Sequence, residues 1–289
     1  MTKFMEKDMR ARFWAFLLGA FTILLPWESV TAGQVEGGFD CEDSKECTVR
    51  LDVRGVIDQS TADKIIQLLS EANTRTRKSE EPDRTHFSMT LDSPGGSVVA
   101  AMAIGRLARQ HRMMAVVPLR ATCVSACVLI YAGAVTRMAG DEQIGIHAPF
   151  LDTPAAKINE QTIRSTYTSL VQDLRSYFRE MNVSEGLADE MLKTPASSVR
   201  FLTDPEQVQF GLVTIDPIEA EVVSLRRAKE FGLTRVEYNR RQALVSQHCF
   251  DRGETYLRSC ESHIYRTGKI YNPDFGGLDF TSQVERPTR

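Results

Sequence analysis

From Leu51 to Val56 apolar and polar residues alternate, the period of a half-buried strand. The spacing then lengthens: Ala62, Ile65, Ile66, Leu69 and Ala72 recur every three or four positions, one stripe of a helix that Ser60 or Thr61 can cap. A second strand is predicted over Phe87–Leu91, a helix from about Val98 to Gln110, a third strand over Met113–Val117, a helix over Ser125–Ala132, and strands near Val135–Ala139 and Ile144–His147. The longest helical stripe follows, with Ile163, Tyr167, Leu170, Val171, Leu174, Phe178 and Met181 on one face as core or partner surface. Thr203 to Glu206 has the form of a capping box opening a short helix that Gly211 ends. Two more helices are predicted over Ile218–Phe231 and Thr234–His248, the second opened by a capping box from Thr234 to Glu237, before a polar tail from Cys249 to Arg289. Strands alternating with helices imply an α/β fold with the sheet largely covered on both faces.

The N-terminus follows another pattern. Lys3, Lys7, Arg10 and Arg12 precede a 15-residue apolar run from Phe13 to Trp27, and Val30-Thr31-Ala32 supplies a possible cleavage site. The run falls short of the roughly 20 residues that span a hydrocarbon core. Residues 1–32 are therefore expected to be a secretory signal or, if uncleaved, an N-terminal membrane anchor, which makes the protein exported, periplasmic or otherwise extracytoplasmic. Residues 33–48 form a polar lead, 49–216 the main domain, and 217–289 a helical, disulfide-bearing C-terminal appendage.

Composition changes this picture little. The 289 residues are 42% hydrophobic and 25% charged, which excludes a disordered or multi-spanning chain. The net charge of −3 argues against a nucleic-acid surface. The cysteines matter more, because an oxidising compartment favours disulfides. Bridges are expected within the near pairs Cys41 and Cys47, Cys123 and Cys127, and Cys249 and Cys260. For the last pair a zinc site with His248 and His263 is the competing arrangement.

Chemistry concentrates at three points. Ser93-Pro94-Gly95-Gly96-Ser97 joins a strand to a helix, where adjacent glycines leave backbone amides open to a ligand. Ser125, between Cys123 and Cys127, opens the next helix, where a serine is most often only a cap. His147, in Ile144-Gly145-Ile146-His147-Ala148-Pro149, lies 22 residues further on, across one helix and a return strand, so an imidazole can reach the hydroxyl as an activated serine requires.

Together these segments resemble the Clp-protease and signal-peptide-peptidase clan. The matching pieces are LDVRGVID, LDSPGGSVVAAMAI, ATCVSACVLIYAGA, GIHAPF and RFLTDPEQVQFGLV, within Leu51 to Asp216. The resemblance implies a crotonase/ClpP-like α/β spiral of stacked strand-strand-helix units, with Ser125 as nucleophile, His147 as general base, and an oxyanion hole made by Gly96 and Ala126 with Gly95 shaping the turn. It also implies a peptide or protein substrate and a homo-oligomer. No cofactor or metal is expected, and membrane association only through the N-terminal segment. One departure matters. Where the proteolytic family places the aspartate that orients the histidine, this chain has Ser197-Ser198-Val199. Ser198 is a possible orienting residue, Asp204 or Asp216 are substitutes from elsewhere, and a dyad is the third arrangement. A serine–lysine dyad is disfavoured by the absence of lysine between Lys78 and Lys157.

Two function classes follow. The first is an exported serine hydrolase, a peptidase or related acyl hydrolase. The alternative is a non-catalytic peptide-binding or envelope scaffold protein that keeps the fold. Acyl-CoA chemistry of the crotonase kind fits export poorly.

Overall fold

The structure is a computed structural model and describes residues 33–42, 46–76, 85–150, 159–212, 214–250 and 254–271. The expected signal or anchor segment, residues 1–32, lies outside the described residues. Among the described residues no helix is long and apolar enough to cross a membrane.

Strand β1 (Gln34–Glu42) pairs antiparallel with β2 (Glu46–Ile57), bringing Cys41 opposite Cys47 in the ladder. The supposed polar lead is thus an added strand. Its glycines and charges disguise it, because only one face meets the protein, with Val35 and Phe39 half-buried against the core. Cys47 is disulfide-bonded; the side chain of Cys41 lies outside the described residues.

Helix α1 (Gln59–Thr76) buries Ala62, Ile65, Leu68, Leu69 and Ala72, whereas Ile66 is half exposed, so the predicted stripe is rotated by one position. The cap is not Ser60 or Thr61 but Asp58, whose carboxylate accepts from the Thr61 amide at 2.8 Å and from both hydroxyls. These hydrogen bonds, led by that of Ser60, hold the Asp58 carboxyl below its ordinary pKa.

β3 (Thr85–Gly96) organises the rest. It runs parallel to β2 along one edge and shares the other between β4 (Met114–Val116), which pairs with Ser88–Thr90, and β5 (Cys123–Val124), which pairs at Ser93. One branch continues from β4 to β6 (Thr136–Met138) and antiparallel β9 (Thr214–Ile215), the other from β5 to β7 (Ile144–Ile146) and antiparallel β8 (Arg200–Phe201). The strands therefore diverge at the C-terminal end of β3, the kind of switch point where open α/β sheets hold ligands.

Helices α2 (Val98–Gln110) and α3 (Cys127–Gly133) pack closely, because Gly133 lies directly on the backbone of Gly105. Tyr131 and every other residue of α3 are buried. Helix α4 (Glu160–Glu180) buries only Leu174, Tyr177 and Phe178, so the first part of its apolar stripe is only partly covered. Then come α5 (Gly186–Lys193), α6 (Asp204–Phe210) with the expected Thr203–Glu206 capping box, and α7 (Pro217–Glu230).

Asp216, fully buried, caps α7 by accepting from the amides of Ile218 and Glu219, and it also receives Asn182, Arg109 at 3.2 Å and the buried Arg137 at 3.7 Å. Arg137 donates further to the carbonyls of Gly211, Ala132 and Met181. Burial pulls its pKa down to about 10, so it remains a cation at neutral pH.

Helices α8 (Arg235–His248) and α9 (Glu254–Thr267) form a second small core with the end of α7: Ala228, Tyr238, Val245, Ile264 and Tyr265, with Phe231 and Tyr238 stacked on Tyr265. At Thr234 only half of a capping box is present: the hydroxyl accepts from the Glu237 amide, but the Glu237 carboxylate turns to Arg240 and Arg241. Cys249 and Cys260 bond to each other, which uses both sulfurs the zinc arrangement required. Among the described residues no cluster of metal-ligating side chains occurs.

Candidate active site

Three parallel strands deliver the three expected elements to one end of the sheet. β3 terminates in Gly95-Gly96, β5 immediately precedes Ser125, and β7 immediately precedes His147. Within the β5–β7 ladder Cys123 lies opposite Ile144 and Val124 opposite Gly145, and the Ser125 amide donates to the Gly145 carbonyl at 2.9 Å. The serine corner is thus pinned to the strand that carries the histidine.

Ser125 has φ +58°. The other non-glycine residues with positive φ among those described, Arg112, Arg120, Glu142 and Asn182, are exposed turn residues; Ser125 is half-buried between a strand and a helix. A left-handed φ costs an L-residue about 1–2 kcal/mol, and surroundings that enforce it are found preferentially at functional sites. Such a strand-to-helix turn presents the side chain above the sheet, as in a nucleophile elbow.

Gly95 is the other half of that corner. A Cβ placed on it would lie 2.7 Å from the Ser125 Cβ and 3.0 Å from the Ala126 nitrogen, and its own φ of +102° suits glycine alone. Its amide donates to Ser93 Oγ at 3.1 Å, so Gly95 shapes the turn and its amide has a partner. The Ser97 amide donates to the Ile57 carbonyl on the β2 side. Ala126 precedes α3 without a side-chain cap, leaving its amide among those that a helix start does not satisfy internally. Gly95→Ala is expected to cost about 2 kcal/mol through strain, seen as a melting temperature lower by roughly 4–8 °C together with a fall in turnover. An unchanged melting curve would show that the corner relaxes freely.

His147 is 8% exposed, with Phe150 stacked beside it at 6.2 Å. Its Nδ1 lies 2.9 Å from the Ala148 carbonyl oxygen. A carbonyl only accepts, so Nδ1 carries the proton and Nε2 is left as the basic nitrogen. The Ala148 amide is itself held by the Thr194 carbonyl at 2.8 Å.

Ser198 is exposed, and its hydroxyl donates to the Pro195 carbonyl at 3.1 Å within its own turn. Its neighbour Val199 packs on Gly145. Asp216 is not available as a substitute acid, being committed to Arg109, Arg137, Asn182 and the α7 start. Asp204 is the first residue of α6, where a helix start favours its charge.

Two supporting residues had weak signals in the sequence. Ser93 is buried and donates to the Gly55 carbonyl at 2.6 Å while receiving the Gly95 amide, which clamps the glycine turn onto β2. Gly55, at φ +77°, lies where the β2–β3 register slips between Arg54 and Val56, a bulge that turns its carbonyl to Ser93. The clue to Ser93 was its place two residues before Gly95, the reach of a serine hydroxyl to a backbone amide.

The Clp protease family matches residues 46–218, which holds all of these elements. The chain belongs to the Clp protease family. The family is one of serine peptidases, and the crotonase/ClpP-like α/β fold expected from the motifs is the one present. Among solved structures the chain is similar to a mutant of the 1510-N membrane-bound stomatin-specific protease, with 20% identity over 56% of this chain and 75% of that one, at a TM-score of 0.41. A second mutant of that protease, in complex with a substrate peptide, matches at 21% identity over 58% and 75%, with a TM-score of 0.42. No curated protein sequence matches.

Proposed function

We propose that the protein is an exported serine hydrolase that cleaves peptide bonds, with Ser125 as nucleophile and His147 as general base. The observation that carries the reading is the Ser125 corner: a non-glycine residue at positive φ, joined by its amide to the strand of His147 and backed by the glycine turn. Ser125 Oγ attacks the scissile carbonyl while His147 Nε2 takes its proton. The amides of Gly96 and Ala126 hold the oxyanion, and the imidazolium returns the proton to the leaving amine. Water then releases the acyl group by the same steps in reverse. Each oxyanion donor is worth about 10²–10³ in rate.

The absence of a carboxylate from the matched position, where Ser197-Ser198-Val199 stands, has a consequence for the chemistry. In a serine triad the acid both fixes the tautomer and stabilises the imidazolium. The Ala148 carbonyl performs the first task but, being neutral, gives a weaker hydrogen bond to the charged ring than a carboxylate does. Turnover should therefore be slow relative to a full triad, with the proton correctly placed. That weakness is also the observation favouring the second reading, a peptide-binding protein that has kept the fold. His147→Ala separates them: hydrolysis of peptide substrates should fall by about 10²–10⁴ in kcat with little change in KM. A variant that turns over as the wild type does contradicts the proposal, and peptide binding without any turnover in either form supports the scaffold. Ser198→Ala is expected to leave kcat/KM within about twofold, since its hydroxyl serves its own turn; a tenfold loss, about 1.4 kcal/mol, would make Ser198 an orienting residue after all.

Export is supported by the signal-like N-terminus and by bonded cysteine pairs in both cores. Self-association and membrane attachment through the N-terminal segment belong to the same proposal, on grounds of family and sequence.

A further inference from the structure

The bond between Cys123 and Cys127 brackets the proposed nucleophile, and neither the family resemblance nor the proposed reaction assigns it a role. We propose that this disulfide is the positioning element of the nucleophile corner, so that Ser125 acquires its reactive placement only once the bond has formed. The inference rests on the serine-hydrolase reading.

The bond closes a loop only four residues apart in sequence, with Cα atoms 5.2 Å apart and both cysteines fully buried. Loop-closure entropy grows with the logarithm of loop length, so a loop this short constrains the unfolded chain little compared with a long one. The effect of the bond is therefore concentrated on the residues it encloses: Val124, Ser125 and Ala126. Those residues need restraint. Ser125 is held at positive φ, and Ala126, the residue before α3, supplies no side-chain cap. The usual device for holding a helix start, a Ser, Thr, Asp or Asn cap, is absent at the one helix whose first amide is proposed to bind the oxyanion. Cys123 is the last residue but one before the serine, in the ladder opposite Ile144, and Cys127 is the first helical residue, so the bond ties strand to helix across the turn. Gly95 packs on the same corner from the β3 side. With the bond open, the Gly145 hydrogen bond, the donation from the Val128 amide to the Ser125 carbonyl and this packing remain, but the covalent tie between strand and helix across the turn is lost.

Formation requires an oxidant of the disulfide class. Each thiol gives up one proton and one electron, and the donor disulfide is reduced to two thiols by exchange. A chain kept reduced would carry Ser125 on a loose corner, and activity would appear on transfer to an oxidising compartment. Because both sulfurs are buried, the finished bond resists exchange in the folded protein, which makes it a step of maturation.

The test compares the rate of Ser125 labelling by a fluorophosphonate and the kcat and KM of peptide hydrolysis in wild type, Cys123→Ala/Cys127→Ala and Cys249→Ala/Cys260→Ala, each with its melting curve. The first double variant is expected to stay folded, with labelling and kcat down at least tenfold and KM nearly unchanged. The second, which opens a bond in the distal core, is expected to melt lower while labelling at the wild-type rate. Wild type refolded with dithiothreitol should match the first variant in labelling and kcat while melting lower, since the distal bond opens too, and oxidised glutathione should restore wild type but not the variant. A folded Cys123→Ala/Cys127→Ala protein that labels as fast as wild type overturns the proposal. So does failure of both that variant and the reduced wild type to fold, which would make the bond a requirement of the fold as a whole. Oxidised wild type that is never labelled sinks the hydrolase reading itself, a result distinct from either.

Discussion

Ser125→Ala should abolish hydrolysis, lowering kcat by about 10⁴–10⁶ when nucleophile and base act as a unit, while leaving the fold intact. Ser125 is half-buried at φ +58°, and its hydroxyl makes none of the structure's hydrogen bonds that hold neighbouring elements together, unlike Ser93, whose oxygen bridges Gly55 and Gly95. Alanine at the same φ keeps the hydrogen bond from its amide to the Gly145 carbonyl and the contact with Gly95. Stability should therefore move by less than about 0.5 kcal/mol, the range of substitutions that touch no structural feature. Circular dichroism and a melting curve beside the activity assay check both halves. Residual turnover within tenfold of wild type would assign the chemistry elsewhere.

The largest effect on stability is expected from Asp216→Asn. Among the described residues the carboxylate is the only acidic group paired with the buried Arg137, and it also binds the Arg109 guanidinium, the Asn182 amide and the first turn of α7. Burial raises its pKa, but the Asn182 hydrogen bond, the α7 amide and Arg109 outweigh that and leave it below the ordinary 3.8. Removing one member of a buried ion pair costs about 3–5 kcal/mol, because the remaining charge is left uncompensated. At about 2–4 °C per kcal/mol for a chain of this size, the melting temperature should fall by roughly 6–20 °C at pH 7. The sign of the pH dependence follows from the depressed pKa. The stabilisation is complete above the unfolded value near 3.8 and disappears as pH falls through the lower folded value, so the gap between wild type and variant should close in acid. Equal melting temperatures at pH 7, or a gap that widens below pH 4, would contradict this.

These two sites differ in how far the sequence disclosed them. Ser125, His147 and the Gly95-Gly96 turn were legible because four motifs stand in a fixed order, each at a strand end. The helices were legible from period alone: α2 runs over Val98–Gln110 as expected, and Thr203 and Gly211 cap α6 as their residue types suggest. Asp216 read only as a helix boundary or spare acid, because its partners Arg109, Arg137 and Asn182 are remote in sequence and no local pattern joins them. The same holds for β1, whose pairing to β2 is what makes Gly37 and Gly38 part of a strand, and for α9, whose buried residues Cys260 and Ile264 gain their core from α8 and the end of α7. The carbonyl that His147 Nδ1 meets escaped for a related reason. A backbone carbonyl leaves no trace in residue type, so the Ser197-Ser198-Val199 segment showed that a carboxylate was missing without showing that Ala148 stands beside the ring.

The proposed chemistry requires one serine to be nucleophilic through one histidine. Oxidised protein treated with a fluorophosphonate and mapped by peptide mass spectrometry should carry a single adduct on Ser125, lost on heat denaturation before treatment and reduced at least a hundredfold in His147→Ala. An adduct on another serine, or equal labelling of the folded His147→Ala protein, would contradict it.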